Sequence, residues 1–297
     1  MKSINGMAER LRELIAAPGA IEVPGCYDVL SAILLERAGF QSVFLSGYGL
    51  AASLCGNPDI GLTTLSETAL LARNLTNRLT IPVIVDADNG YGNEDNARRT
   101  VYELEAAGAA AMILEDQVFP KRCGHAEGKA IIPLGEYMKK LECALRDRRT
   151  PLVIVARTDA GTIDEGIARA RTFHAPGADV TLIDGLRSLD DARRVADEVP
   201  GPKQINLIYG GKTPLLPATE LASMGFKVLL YSTPALYVAA RALVRAMEAL
   251  HDAHDLSAIA DDSVTFKQFQ DLIETPYLQR GKLPHVPPVR AIRAIAR

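Results

Sequence analysis

Three acidic side chains and one cysteine stand in segments suited to chemistry. Asp86 and Asp88 open the run Asp86-Ala87-Asp88-Asn89-Gly90-Tyr91-Gly92-Asn93, and Glu115 opens Glu115-Asp116-Gln117. Carboxylates brought together repel one another unless a cation sits between them, and all-oxygen ligation suits Mg2+ or Mn2+. The aspartates alone also fit a strand-end turn that caps the next helix. Glu115, arriving independently at the next strand end, favours the metal. Cys123 lies in Lys121-Arg122-Cys123-Gly124-His125-Ala126-Glu127-Gly128-Lys129, a polar loop with two glycines and no apolar periodicity. Two flanking cations and a histidine are expected to lower the thiol pKa, and the composition is that of a mobile flap over a site. Cys26, Cys55 and Cys143 lack such neighbours and read as inert packing residues.

These groups need a scaffold that gathers strand ends. Near-continuous apolar runs recur over residues 21–24, 42–46, 82–86, 111–115, 152–157, 180–184, 204–208 and 227–231. Such runs belong to parallel strands covered on both faces. Helices are expected between and after them, over 28–38, 65–78, 94–107, 135–147, 164–174, 189–198, 218–224 and, the last and longest, 234–255. Thr64 with Glu67 forms a capping box, Asp28 and Asn93 are good N-caps, and glycines 39, 108 and 225 end three of the helices. Eight such units imply a (β/α)8 barrel in preference to an open doubly wound sheet. Residues 1–254 form that catalytic barrel in this reading, and 255–297 form a C-terminal helical arm. The arm includes a helical stretch over 265–273 and a Pro-rich end at 283–288. It must pack on this barrel or on a neighbouring subunit.

Barrel chemistry gathers at the C-terminal strand ends. There the sequence places Ser46, Gly47 and Tyr48, then Asp86, Asp88, Glu115, Arg157, Asp184 and Asn206, with Thr213 just beyond. Gly47-Tyr48-Gly49-Leu50-Ala51-Ala52 matches a dinucleotide fingerprint, but no separable Rossmann half surrounds it. Gly211-Lys212-Thr213 imitates the end of a P-loop, but Asn206 holds the first-glycine position and Pro214 follows at once. A backbone cradle for a carboxylate fits that loop better.

Composition limits the remaining possibilities. The 297 residues carry 33 basic and 36 acidic side chains, 48% hydrophobic residues and a formal charge of -3. This is a globular balance with no footprint for nucleic acid. No apolar run reaches the length of a membrane span, and the N-terminus turns polar at once, without a signal-peptide core. Four scattered cysteines make neither a disulfide framework nor a zinc site. A cytoplasmic enzyme is expected.

Taken together, 86–93, Glu115-Asp116-Gln117, Lys121-Arg122-Cys123-Gly124-His125, Arg157-Thr158-Asp159 and Gly210-Gly211-Lys212-Thr213-Pro214 resemble the isocitrate lyase / phosphoenolpyruvate mutase superfamily. The resemblance spans roughly residues 20 to 250. The cysteine segment is similar to that of its carbon–carbon lyase branch. The resemblance implies a (β/α)8 barrel whose last helix is exchanged between subunits of a homotetramer, and a Mg2+-bound 2-oxo or enolate carboxylate. It implies that Ser46, Gly47 and Tyr48 hold a substrate carboxylate and that Asp59 lies near the water shell of the metal. Asp86 and Asp88 would be the nearest carboxylates, with Glu115 supporting. Cys123 would exchange a proton at carbon, with Lys121, Gly124 and His125 beside it. Arg157 would neutralise the enolate, and Asn206 and Thr213 would fix the distal carboxylate, with Asp184 nearby.

Asp184 and Tyr209 depart from the glutamates of many members. Tyr237 stands where methylisocitrate lyases carry an arginine, which argues for a dicarboxylate over a tricarboxylate. Phe266-Lys267-Gln268-Phe269 also looks more like the dicarboxylate branch. The expected activity is therefore retro-aldol cleavage of a substituted malate such as 2,3-dimethylmalate, with Tyr48 or a metal-bound water as hydroxyl base. The alternatives are oxaloacetate hydrolysis or decarboxylation, 2-methylisocitrate cleavage, phosphonate P–C chemistry and a non-catalytic carboxylate-binding barrel.

Overall fold

The computed structural model describes residues 6–273. Eight parallel strands close on themselves in chain order, β1 beside β8. They are β1 (Ile21–Cys26), β2 (Val43–Leu45), β3 (Val83–Asp86), β4 (Ala111–Glu115), β5 (Val153–Thr158), β6 (Val180–Ile183), β7 (Lys203–Leu207) and β8 (Phe226–Tyr231). All eight fall on the apolar runs. The helices are α1 (Gly6–Ala16), α2 (Val29–Arg37), α3 (Gly47–Leu50), α4 (Leu65–Arg78), α5 (Glu94–Ala106), α6 (Leu134–Asp147), α7 (Ile163–Phe173), α8 (Leu189–Glu198), α9 (Ala218–Ser223), α10 (Pro234–Ala253) and α11 (Phe266–Ile273). The capping boxes at Asp28, Thr64 and Asn93 are formed, each side chain accepting from the backbone three residues on.

Strand parity sorts the core into two layers. Phe44, Ile84, Ala111, Ile113, Val153, Val155, Val180, Leu182, Val228 and Leu230 fill the barrel interior. Their odd-step neighbours, such as Val83, Val85, Met112 and Ile154, pack against the helices. The same parity, continued one step past the last interior residue, carries Ser46, Asp86, Glu115, Arg157 and Asp184 to the C-terminal mouth.

Two elements escaped the sequence reading. Helix α1 closes the bottom of the barrel: Leu11 joins the interior core, and Arg12 Nε donates to the Pro151 carbonyl at 2.6 Å. This short amphipathic segment precedes the first strand and offers no capping signal. The segment after Ser46 coils into α3 and then a π turn over Ala51–Cys55.

Helix α10 differs from the others. It has no buried residue, and Val238 (70% exposed), Leu243, Val244 and Met247 face outward. An apolar cavity of about 440 Å3 lies beside its start, lined by Pro24, Leu35, Phe40, Leu215, Leu216 and Pro234 among others. The expected helix at 265–273 is α11, whereas the Pro-rich stretch at 283–288 lies outside the described residues. No described helix is long and apolar enough to cross a membrane.

Candidate active site

The strand-end groups meet in one buried cluster. Asp86 ends β3, and its Oδ2 accepts the Gly47 N–H at 3.2 Å while its Oδ1 accepts that of Asp88. A side chain at Gly47 would come within 2.8 Å of Asp86 Oδ2, so the close approach requires glycine there. Asp88 adopts φ +45°, a left-handed conformation that aspartate tolerates better than most residues, and this turns its carboxylate back into the mouth. Ser46 Oγ accepts from Gly49 N–H at 3.2 Å and so caps α3.

Arg157 is the hub on the other side. Its Nε and Nη2 donate to Asp159 at 2.8 and 3.1 Å, and Nη2 also meets Asp184 at 2.8 Å and Glu115 at 3.3 Å. Burial would strip charge from the guanidinium, but Asp159, Asp184 and Glu115 outweigh it and hold its pKa well above the ordinary value. Asp184 is pushed up by burial, yet Arg157, His125 and Lys129 bring it below the usual carboxylate range. It also accepts from Asn206 Nδ2 at 3.0 Å, and Asn206 Oδ1 accepts from Ser232 Oγ at 2.5 Å. Thr213 is buried in the loop after β7.

The loop that carries Cys123 is folded down into the mouth. Its base is tied by the antiparallel bridge of Gln117 with Ile131, and the Gln117 amide holds Arg122 at both its N–H and its carbonyl. At its tip, His125 Nδ1 accepts the Lys212 N–H at 2.9 Å, which leaves Nε2 as the donor nitrogen, and Nε2 faces Asp184 at 3.4 Å. A side chain at Gly124 would lie 2.0 Å from Asp184 and 2.5 Å from Arg157, so the loop backbone rests directly on that pair.

Three expectations bear on this arrangement. The first concerns Cys123. Burial raises its pKa, and together with Asp184 and Asp59 it outweighs the lowering by the His125 N–H hydrogen bond and by Arg157. The sequence neighbours Lys121 and Arg122 give no relief: Lys121 is spent on carboxylates, and Arg122 packs toward Gly128. At neutral pH the residue is a thiol, a loaded proton donor.

The second concerns the metal. Among the described residues, no three His, Cys, Asp or Glu side chains are grouped closely enough to hold one ion. Asp86, Asp88 and Glu115 line the same mouth without converging on one point. Lys121 Nζ sits between Asp59 and Asp88 at 2.8 and 2.7 Å, and these with Asp86 and Glu115 hold its pKa well above the ordinary value despite its burial. Lys121 is thus a charged ammonium held between the two carboxylates. The donor set still fits a hard cation that keeps most of its waters and takes one or two carboxylates, the usual habit of Mg2+. Glu115 Oε1 is buried with no hydrogen-bond partner, and burial pushes Asp86 and Glu115 above the usual carboxylate range. Both observations describe negative charge short of a positive partner.

The third concerns Tyr48. Its hydrogen bond with Tyr237, aided by burial, pushes its pKa up to about 12, and the two rings meet edge to face at 6.4 Å. With its pKa raised, the Tyr48 phenol is suited to donate a hydrogen bond.

Sequence reasoning passed over Asp116, Asp159 and Lys129 as site residues. Asp116 has the opposite strand parity to Glu115 and points outward. There it accepts Thr158 Oγ1, Asp159 N–H and Arg169 Nη1 at 2.7, 2.9 and 3.1 Å. Only the sequence neighbours of Glu115 and Arg157 could have drawn attention to this layer.

The family model described as phosphoenolpyruvate phosphomutase matches residues 11–251. The chain belongs to the phosphoenolpyruvate mutase / isocitrate lyase superfamily. It is 38% identical over 270 residues to 2,3-dimethylmalate lyase of Eubacterium barkeri, covering 90% of this chain and 93% of that protein. It is 39% identical over 266 residues to 2-methylisocitrate lyase of Aeropyrum pernix, covering 89% and 86%. The solved structure of oxaloacetate acetylhydrolase with the inhibitor 3,3-difluorooxalacetate superposes with a TM-score of 0.86 at 33% identity, over 95% of this chain and 99% of that one. In this family setting the chain is an enzyme, and its class is carbon–carbon lyase.

Proposed function

We propose that the chain cleaves the C2–C3 bond of a substituted malate of the 2,3-dimethylmalate type, releasing a 2-oxo acid and a carboxylic acid. The observation that carries this is the seating of the Cys123 loop: Gly124 lies against Arg157 and Asp184, so a protonated thiol is delivered to the strand-end cluster. As the C2–C3 bond breaks, the 2-hydroxyl gives its proton to a water and becomes the 2-oxo group, and the bonding pair leaves the departing fragment as an aci-carboxylate, electron-rich at carbon. Arg157 offers it a permanent positive charge, and Cys123 protonates the carbon, regaining its own proton between turnovers. Tyr48 donates to a substrate oxygen, and Asn206 and Thr213 face the distal carboxylate. Asp86 and Asp88, supported by Glu115 and Asp59, would hold Mg2+ or Mn2+. The bound cation supplies Lewis-acid polarisation of the forming 2-oxo acid.

Tyr237 favours a dicarboxylate, since it puts a neutral phenol beside Tyr48 where a third carboxylate would need a cation. The deciding experiment measures Mg2+-dependent turnover of 2,3-dimethylmalate, other alkylmalates, 2-methylisocitrate and oxaloacetate. Faster hydrolysis of oxaloacetate than cleavage of any malate would overturn the reading.

The same reading makes residues 1–254 the catalytic barrel and 255–297 an arm. It makes the protein a cytoplasmic homo-oligomer, a setting in which Cys123 stays reduced. The occupant of the apolar cavity beside α10 is then the α10 of a second copy, in a tetramer built from helix-exchanged pairs. The uncovered apolar side chains of α10 support this. Leu243→Asp with Val244→Asp should lower the mass measured by light scattering to that of a monomer. An unchanged oligomer would refute the exchange.

A further inference from the structure

We propose that Lys129 and Asp159 form the latch of the Cys123 loop, and that the latch is coupled to Arg157 because both cations share one carboxylate. The coupling rests on the lyase reading; the latch itself does not. Lys129 stands at the far end of the loop, and its Nζ reaches Asp159 Oδ1 at 2.9 Å, with 11% and 0% of the two side chains exposed. That same oxygen accepts Arg157 Nη2, and the other accepts Arg157 Nε. Asp159 is held from behind by its N–H on Asp116 Oδ1, and Asp116 is pinned in turn by Thr158 and Arg169. The carboxylate therefore belongs to the rigid barrel, and closure brings the lysine to it.

The loop has other ties: Lys121 fixes its start to Asp59 and Asp88, and His125 at its tip faces Asp184 at 3.4 Å. Lys212 meets Glu127 at 2.7 Å, but Glu127 is 86% exposed and the pair is screened by solvent. At the far end of the loop the desolvated pair is Lys129 with Asp159, where separating the charges leaves a buried carboxylate with one cation fewer.

The shared oxygen gives closure a chemical consequence. With the loop lifted, the whole charge of Asp159 is drawn to Arg157. With the loop down, Lys129 takes part of it, and the guanidinium has more positive charge to offer the aci-carboxylate. Loop closure and the readiness of Arg157 are thereby one event.

The test uses the full-length enzyme with Lys129→Gln, which keeps much of the length but not the charge, and Lys129→Arg, which keeps the charge. The first measurement needs no substrate: the rate at which iodoacetamide modifies Cys123, followed by peptide mass. Lys129→Gln should raise that rate about tenfold, the size expected for losing one charge-assisted contact, and Lys129→Arg should restore it. The second measurement is steady-state turnover of the best malate, where Lys129→Gln should lower kcat about three- to tenfold with KM changed less. Equal modification rates in wild type and Lys129→Gln would overturn the latch. Faster modification with unchanged kcat would overturn its coupling to Arg157. Faster modification in a protein whose wild type cleaves no malate would uphold the latch and overturn the lyase reading, and the coupling with it.

Discussion

Replacing Cys123 by serine removes one acidic proton while leaving the scaffold in place. The loop is fixed on both sides of this residue: Gln117 clamps Arg122, Gly124 rests on Arg157 and Asp184, and His125 accepts from Lys212 N–H. None of these ties uses the thiol, and a hydroxyl is no larger than the group it replaces. Substrate affinity and Mg2+ response should therefore persist. A free thiol near ~8.5 is already more than about 95% protonated at pH 7, and burial raises Cys123 further, so the wild-type donor is fully loaded. Its loss as a general acid should lower kcat by about 10²–10⁴, or roughly 2.7–5.5 kcal/mol of transition-state stabilisation.

The assay is steady-state kinetics on the malate turned over best, with substrate affinity determined separately and the pH varied. Because the protonated thiol is the active form, wild-type kcat should hold through neutrality and decline only on the alkaline side, above the range of an ordinary cysteine. The serine variant should lack that decline. Unchanged kcat in the serine variant, or a wild-type decline centred well below pH 8, would refute the reasoning. Cys26→Ser is the internal control. That thiol is wholly buried, lies 3.3 Å from the Phe44 carbonyl and is raised to about 12, so it takes no part in turnover.

Glu115→Gln should weaken the Mg2+ dependence of turnover and the thermal protection that Mg2+ gives. Without metal at pH 7 it should melt no lower than wild type. Burial raises the folded pKa of Glu115, so its favourable contribution is fullest below the ordinary carboxylate pKa and is lost as pH rises through the folded value; the two proteins should therefore converge in acid, and a large metal-free loss at pH 7 would contradict this. Tyr237→Arg should improve kcat/KM for 2-methylisocitrate over the malates by about tenfold or more, and should lower the Tyr48 pKa by removing its hydroxyl partner. Unchanged substrate preference would show that Tyr237 does not set substrate size.

The order of the strands, the mouth residues and the family were all legible in the chain, because two physical regularities are local. Buried parallel strands must be apolar on both faces. Parity then dictates that a residue two past Ile84, Ile113, Val155 or Leu182 faces the same way, which places Asp86, Glu115, Arg157 and Asp184 without any knowledge of packing. Charge balance is not local. Read along the chain, Cys123 stands beside Lys121 and Arg122 and should be acidic. In the fold, Lys121 turns away to Asp59 and Asp88, and the thiol faces Asp184 and burial instead. Tyr48 became a donor only through Tyr237, almost two hundred residues later, and Lys129 met Asp159 only when the loop closed over β5. The sign of a pKa shift depends on desolvation and on charges a few ångströms away. The tertiary structure alone decides both.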